Sequence, residues 1–301
     1  MDKIKIMHNF SVVIPTYNSS RYLKECIYAL KSSTLLDEII VCDDGSEYQE
    51  LENIKNIIQK ASKHFSFEII FLENKKNIGA FKNKYRLIKA AKNDWVYQID
   101  SDNIAFPKID KVISEIIRDH NSQLLIYYPS KLIQFWKYKR TAAFLSRIQK
   151  KYIVKFSRDF KYFDIENTKR AIEEFLNYDT TSDKTVGSPE LKSKFLIDKH
   201  IYWVLNCGNF IVNKKQFLNA MKPGLDFSRE ILSMDAVAFS YLWLKNKGTI
   251  VLHPRLSHFH RKRYTSISYT TKDSSKISRD FFTKKIMLLT GSDLERKESN
   301  I

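Results

Sequence analysis

The sequence predicts an α/β protein with a mostly parallel central sheet flanked by helices. Three observations support this fold class: short and almost continuously apolar runs, helical spacing of apolar residues between them, and a polar cluster where each run ends. Continuously apolar strands are buried on both faces, which is typical of parallel sheets covered by helices. Ligands of such sheets bind beyond the carboxyl ends of the strands, so the polar clusters are the candidate site.

The predicted elements alternate along the first 130 residues. Strands are predicted at 10–14, 38–42, 67–72 and 95–99. Helices are predicted at 20–32, in a segment between the second and third strands that ends near residue 63, and at 79–92. Each helix repeats apolar residues every three or four positions, which gives it one buried face. Later elements are a strand at 206–212, a helix at 236–245, a strand at 248–252 that ends at His253-Pro254, and a helical or loosely ordered tail from residue 272.

We predict four parts along the chain. We predict one half of the main domain at 1–130, a variable basic insertion at 131–204, the other half at 205–266 and a basic tail at 267–301. Residues 131–161 include ten Lys or Arg residues and one Asp, with apolar residues at helical spacing. A basic helix of this kind is typical of a membrane-surface element. The alternative is an amphipathic helix that packs on the core and leaves its basic face in solvent.

The net charge of +17 indicates anionic partners, such as nucleic acid, acidic lipid or phosphorylated substrates. No zinc-ligand array or RNA-binding signature accompanies the charge, so we do not expect a nucleic-acid partner. The three cysteines fit a reduced, cytosolic setting. No apolar run approaches the roughly 20 residues that span a bilayer. We therefore expect a cytoplasmic protein, in solution or held peripherally at the inner face of the membrane.

Two carboxylates follow the fourth predicted strand, Asp100 and Asp102. Side chains at positions i and i+2 of a strand point the same way, so both carboxylates face one region. Such a pair suits a hard divalent cation, Mg²⁺ or Mn²⁺, which usually also holds a substrate phosphate. The alternative is a surface turn, because Asp, Ser and Asn are common turn residues.

Four motifs together resemble family 2 glycosyltransferases. They are Val-Val-Ile-Pro-Thr-Tyr-Asn at 12–18, Asp-Asp-Gly-Ser at 43–46, Asn-Ile-Gly at 77–79 and Asp-Ser-Asp-Asn at 100–103. The resemblance covers residues 10–110 well and 205–266 loosely. It implies a GT-A fold, in which the first half of the domain binds a nucleotide-sugar and the second half binds the acceptor.

The resemblance also implies a set of donor-binding residues. These are Pro15, Thr16, Tyr17, Asn18, Asp44, Ser46, Asn77, Gly79, Lys84, Asp100, Ser101, Arg261 and Arg263. Thr16 and Asp44 match base-binding positions, and a carboxylate that accepts the imide N–H of uracil favours a UDP-linked sugar. The alternative for Asp44-Gly45 is a hairpin turn. Lys84 stands where the family usually has Arg near the donor phosphates, and Tyr85 replaces the usual Asn.

The resemblance places a metal ion and a catalytic base in the same site. Asp102 is expected to touch Mn²⁺ or Mg²⁺ directly, while Asp100 lies beside it and positions the ribose or a bound water. One of His258 and His260 would complete the metal shell or contact the diphosphate. Asp235 resembles the general base, with Met234 in place of the acid that usually precedes it. The alternative role of Asp235 is to cap the helix that follows.

The sequence therefore predicts a metal-dependent, inverting glycosyltransferase of the hexosyl or N-acetylhexosaminyl type. Its donor would be a UDP-sugar, and its acceptor a glycan or lipid-linked precursor of a surface polysaccharide. An anionic membrane is a further partner if the 131–161 segment is a surface element. The alternative is a non-catalytic module that binds a nucleotide or a nucleic acid.

Overall fold

All the strands that the structure describes join one mixed sheet. The computed structural model describes residues 9–119, 123–135, 152–155, 158–171, 204–261 and 272–289. The strands are β1 (Phe10–Thr16), β2 (Leu36–Asp43), β3 (Glu68–Glu73), β4 (Trp95–Gln98), β5 (Ile104–Ala105), β6 (Leu125–Phe135), β7 (Tyr152–Lys155), β8 (Lys161–Phe163), β9 (Phe210–Asn213) and β10 (Thr249–Arg261). The helices are α1 (Ser20–Tyr28), α2 (Tyr48–Ser62), α3 (Ala80–Ala90), α4 (Ile109–Asp119), α5 (Lys214–Met221), α6 (Asp235–Lys245) and α7 (Lys272–Leu288).

The strand order is β3-β2-β1-β4-β9-β6-β10-β5, with β7 paired to β6 and β8 paired to β10. The pairs among β3, β2, β1 and β4 are parallel. Because β9 is antiparallel to both β4 and β6, strands β6 and β10 run in the same direction as β1. The carboxyl ends of β1, β2, β4 and β10 therefore lie at one edge of the sheet. The predicted mostly parallel sheet flanked by helices is confirmed.

Alternate residues of β1 face two separate apolar layers. Val12 packs in the layer formed with α1, α2 and α4, whereas Val13 packs in the layer formed with α3, α5, α6 and α7. Both side chains are completely buried. Successive side chains of a strand point to opposite faces, so helices on both sides explain the continuous apolar runs in the sequence.

Helix α6 is the most enclosed helix of the second layer, since every residue from Ala236 to Leu244 is buried. A helix that is apolar all round belongs inside a core. Phe239 stacks on Phe81 of α3 at 4.7 Å between ring centroids and meets Phe210 of β9 edge-on at 5.8 Å. These contacts fix the helix that begins at Asp235 against the sheet.

Strand β10 is longer than the sequence predicts, and the predicted end at His253-Pro254 is wrong. The strand runs to Arg261, and its pairing with β6 shifts register between His253 and Ser257. Proline cannot donate to a strand ladder and is tolerated at bulges. The irregularity therefore absorbs Pro254, and pairing resumes beyond it.

The predicted basic helix over 131–161 is wrong at both of its described ends. Residues 131–135 continue β6, which crosses the predicted boundary at residue 130, and 152–155 form β7 antiparallel to it. Residues 136–151 lie outside the described part of the chain. Pairing of β6 with β10 outweighs the helical spacing, because a strand that gains partners satisfies its backbone groups in a ladder. Helix α7 confirms a helical tail from residue 272.

The described part of the chain contains no helix that is both long and apolar enough to cross a membrane.

We expect Phe239→Ala to lower the free energy of unfolding by about 3–5 kcal/mol, because it leaves a cavity at the contact of α6, α3 and β9. Urea titration followed by circular dichroism measures the change. Tyr48→Ala is the control, since this side chain is 78% exposed and its loss should cost less than about 0.5 kcal/mol. Equal losses for the two variants would contradict the packing described above.

Candidate active site

A chain of three hydroxyl groups ties the loop after β1 to the loop after β4. The Oγ1 of Thr16 lies 2.9 Å from the Oγ of Ser19, which in turn lies 2.8 Å from the Oγ of Ser101. All three side chains are buried. The sequence predicted Thr16 and Ser101 for the site, and the structure adds Ser19 as the link between them.

The loop after β1 is also tied to the loop after β2. Asn18 has a left-handed backbone (φ 45°), and its backbone N–H donates to the Oγ of Ser46 at 2.8 Å. The Oδ1 of Asn18 accepts from the backbone N–H of Glu47 at 3.0 Å. The Ser46 hydroxyl donates to the carboxylate of Asp43. Asn18 and Ser46, both predicted to bind the donor, thus hold the two loops together, while Tyr17 remains 42% exposed at the edge.

Asp44 organises the turn that leads into α3. Its Oδ1 accepts from the Nδ2 of Asn74 and the N–H of Ile78, both at 2.9 Å, and its Oδ2 accepts from the N–H of Gly79 at 3.0 Å. Burial raises the pKa of Asp44, and these hydrogen bonds oppose the rise. The Oδ1 of Asn77 accepts from the same Gly79 N–H at 3.1 Å. Helix α2, not a hairpin strand, follows Asp44, so the hairpin alternative is wrong.

A buried lysine joins the two halves of the domain. The Nζ of Lys84, on α3, lies 2.8 Å from the Oδ1 of Asp100 and 2.8 Å from the Oδ2 of Asp235. The Lys84 side chain is only 5% exposed. Burial alone would lower the pKa of the ammonium, but the two carboxylates outweigh burial and raise it. Lys84 therefore stays charged between the two acids.

Asp235 is the first residue of α6, directly after a 3₁₀ segment at Ile231–Met234. The N-cap position belongs to Met234, and no side chain caps this helix end. The Asp235 side chain is 17% exposed and pairs with Lys84. The structure thus places Asp235 in the site, facing the loop after β4.

Asp100 is held from three further directions. Its Oδ1 accepts from the Nε2 of Gln98 at 3.1 Å, and its backbone N–H donates to the Oδ1 of Asn209 at 2.8 Å. Gly208 approaches so closely that an added Cβ would lie 2.6 Å from the Oδ2 of Asp100. Only a residue without a side chain fits at this position of the 207–209 loop.

The orientation of Asn209 determines the state of His258. Because the Oδ1 of Asn209 accepts from Asp100, its Nδ2 is the donor to the Nε2 of His258 at 2.8 Å. The lone pair of Nε2 is therefore used. Burial, together with the nearby His260, holds the pKa of His258 well below its usual range, so the ring is neutral. His258 thus supports the loop through Nε2, which leaves His260 as the other of the two histidines that were expected near the metal.

Arg261 fastens the Asp-x-Asp loop to α1. Its Nε donates to the backbone carbonyl of Asp102 at 3.1 Å, and its Nη2 pairs with the Oε2 of Glu25 at 2.7 Å. The guanidinium lies 4.6 Å above the ring of Tyr22, and the side chain is 4% exposed. Arg261, which the resemblance assigns to donor binding, is thus buried and contacts Asp102, Glu25 and Tyr22. Arg263 lies outside the described residues.

The remaining predicted metal ligands are Asp102 and His260. Antiparallel pairing of Phe259 with Ile104 places His260 of β10 beside the loop that carries Asp102. Among the described residues, no three His, Cys, Asp or Glu side chains are grouped to hold a metal by themselves. Mg²⁺ needs only one or two carboxylates, because it keeps waters and uses substrate phosphates. Asp102 and His260 therefore fit an ion that is shared with a bound diphosphate.

Several residues that shape the site were missed from the sequence. They are Ser19, Glu25, Asn74, Gln98, Gly208 and Asn209. Their signal is weak because each acts through a partner that is distant along the chain. Gly208 and Asn209 fall inside the strand predicted at 206–212. That prediction is wrong at its start, because β9 begins at Phe210 and both residues lie in the loop before it.

The sequence profile described as glycosyl transferase family 2 matches residues 11–179, which is more than half of the chain. The chain belongs to glycosyl transferase family 2. The match includes all four motifs and the loops that they form around Lys84.

Relatives within the family match the chain in part. An uncharacterized glycosyltransferase of Methanocaldococcus jannaschii is 35% identical over 101 residues, which is 33% of this chain and 33% of that protein. The poly(ribitol-phosphate) beta-N-acetylglucosaminyltransferase TarS of Staphylococcus aureus is 29% identical over 123 residues, which is 40% of this chain and 21% of TarS. The chain thus spans between a fifth and a third of the length of these two relatives.

A solved structure shares the fold over nearly the whole chain. The crystal structure of S. aureus TarS 1-349 in complex with UDP-GlcNAc superposes with a TM-score of 0.55. The superposition covers 95% of this chain and 68% of that chain at 16% identity. This likeness establishes a common GT-A-type architecture.

We expect Gly208→Ala to cost about 1–3 kcal/mol of unfolding free energy, because its Cβ would enter the space of the Asp100 carboxylate. Asp100→Ala removes that carboxylate, so Gly208→Ala should cost clearly less in the Asp100→Ala background. Chemical denaturation of the four proteins in this cycle measures the coupling. An equal cost in both backgrounds would show that Gly208 does not need to be small because of Asp100.

Proposed function

We propose that this protein is an inverting glycosyltransferase that moves a sugar from a UDP-sugar to a hydroxyl group of a surface-glycan precursor. The observation that carries the proposal is the meeting of Asp100 and Asp235 around Lys84 at the carboxyl edge of the sheet. One acid follows a strand of the first half of the domain, and the other begins a helix of the second half. A sugar transferase needs a donor side and an acceptor side that meet in one site.

The donor side supports a nucleotide diphosphate sugar. The loops after β1 and β2 and the turn before α3 are joined by hydrogen bonds beside Thr16, Tyr17 and Asp44. Three hydrogen bonds already use the Asp44 carboxylate, and a carboxylate accepts about four in total, so one further N–H donor such as that of uracil can bind. The TarS structure that shares this fold was solved with UDP-GlcNAc, which favours a UDP-linked hexose or N-acetylhexosamine.

Asp102 and His260 would hold Mn²⁺ or Mg²⁺ together with the donor diphosphate. The ion would supply stabilisation of the negative charge that develops on the departing UDP. Asp100 has a different task in this proposal, since its carboxylate already binds Lys84 and Gln98. Arg261 keeps the Asp102 backbone in place from the side of α1.

Asp235 would act as the general base. Its carboxylate takes the proton of the acceptor hydroxyl while the oxygen attacks the anomeric carbon on the face opposite UDP. The new glycosidic bond forms as the bond from the anomeric carbon to the diphosphate oxygen breaks, so the configuration inverts. The buried helix α6 supports this role because it holds the carboxylate in a fixed position.

The acceptor would be a glycan or lipid-linked precursor that is worked on at the inner face of the membrane. The relative TarS is described as acting on poly(ribitol-phosphate), an anionic polymer. The net charge of +17 suits an anionic acceptor or an anionic lipid surface. The ten basic residues of 131–161 would provide the membrane contact. Flotation with vesicles of phosphatidylglycerol tests this part, and absence of binding would remove the membrane contact.

We expect Asp235→Asn to keep UDP binding and to lower kcat by about 10²–10⁴-fold, because the amide cannot take the acceptor proton. Transfer is measured by UDP release with each UDP-sugar, and UDP binding by calorimetry. Asp226→Asn is the matched control, because Asp226 is an exposed acid in the segment before α6. This change should leave kcat unchanged. Near-normal turnover in Asp235→Asn would refute the base assignment.

We expect a UDP-sugar to raise the melting temperature in the presence of Mn²⁺, and Asp102→Asn to abolish that rise, because ligand and metal bind the folded state together. A thermal-shift panel of UDP-glucose, UDP-galactose and their N-acetyl forms makes the measurement, with EDTA as the metal-free arm. If no UDP-sugar shifts the melting temperature and none is turned over, a non-catalytic binding module would be favoured.

A further inference from the structure

We propose that Lys84 is the positioning residue of the base, and that it does not contact the donor phosphates. This inference rests on the proposed function of Asp235. It departs from the sequence expectation, which placed Lys84 beside the diphosphate because the resemblance has Arg there. Four observations on the Lys84 side chain carry it.

The first observation is the direction of the ammonium group. Lys84 Nζ makes two contacts of 2.8 Å, one to Asp100 and one to Asp235. An ammonium has three N–H donors, so these two acids use most of its capacity. A lysine that received phosphate would instead meet an anion in the cleft, and two carboxylates next to it would repel that anion.

The second observation is burial. The Lys84 side chain is 5% exposed and lies in the apolar layer, with Nζ 6.0 Å from the ring centre of Phe239. A buried charge is tolerated when its partners are close and fixed. The lysine therefore lies in the interior, where it joins α3, α6 and the loop after β4. It does not reach into solvent.

The third observation is the difference between the two acids. Asp100 has additional partners in Gln98 and Asn209, which would hold it without the lysine. Within the described residues, the Asp235 carboxylate has no ion-pair or hydrogen-bond partner besides Lys84. Loss of Lys84 would thus release Asp235 more than Asp100, and the effect should fall on proton transfer.

The fourth observation is the sequence change beside the base. Met234 occupies the position before Asp235, where the resemblance predicts a second acid. Asp235 is therefore the acid of this segment that meets Lys84. A single lysine thus orients a single candidate base.

The test compares Lys84→Met, Lys84→Arg and Asp235→Asn with the double variant Lys84→Met/Asp235→Asn. Lys82→Met is the matched control, because Lys82 lies on the same helix and forms no ion pair with another described residue. For each protein we would measure kcat, the KM for donor, UDP affinity by calorimetry and unfolding by urea.

If Lys84 positions the base, Lys84→Met lowers kcat by about 100-fold or more while UDP affinity changes less than about threefold. Lys84→Arg should recover part of kcat, since it restores the positive charge. The double variant should be no slower than Asp235→Asn alone, because both changes remove the same proton transfer. Lys82→Met should behave as the unchanged protein.

Two results would overturn the inference. One is a loss of UDP affinity of about tenfold or more in Lys84→Met with kcat retained, which would assign Lys84 to the diphosphate. The other is a pair of losses in kcat that multiply in the double variant, which would make Lys84 independent of Asp235.

A stability readout keeps the inference testable apart from the proposed activity. In a double-mutant cycle of unfolding, Lys84→Met and Asp235→Asn should be strongly non-additive, because each removes the partner of the other. Lys84→Gln, which also removes the charge, replaces Lys84→Met in the cycle if the latter does not fold. Additive changes would refute the pairing itself, whereas a coupled pair in a protein without transfer activity would refute only the proposed function.

Discussion

The site depends on one buried ion cluster, the ammonium of Lys84 between the carboxylates of Asp100 and Asp235. A buried charge is costly without fixed partners, and here both partners lie at 2.8 Å. The three residues come from α3, the loop after β4 and the start of α6, so this cluster joins segments that are far apart in the chain. The lysine side of the cluster lies against Phe239 and is 5% exposed, whereas the side chains of Asp100 and Asp235 are 33% and 17% exposed.

The first half of the site could be predicted from the sequence because its signals are local. Asp100 and Asp102 follow an apolar strand, and the turn before α3 carries Gly79, whose φ of 90° suits glycine. Strand ends of a parallel sheet meet at one edge, so the polar loops converge without further information. The metal and donor roles came from the resemblance, and they stay predictions.

The rest could not be predicted because it depends on contacts between distant segments. Lys84 carries no sequence signal for its two acids. The sequence left His258 and His260 as alternatives for the metal shell, and the contact of Asn209 with Nε2 of His258 is what distinguishes them. Arg261 was expected at the donor by resemblance, and the long β10, which runs past Pro254, carries it to the backbone of Asp102. Helical spacing near residue 131 was misleading because pairing with β10 extends β6.

The register shift between His253 and Ser257 divides β10 into two ladders with different duties. The first ladder begins at Thr249 and lies among buried core strands. The second ends at Arg261 and supports the loop that carries Asp102. A break in a ladder lets its two parts open independently, so their amide hydrogens should exchange with solvent at separate rates. Opening of the second ladder would then leave the pairing of residues 249–253 intact.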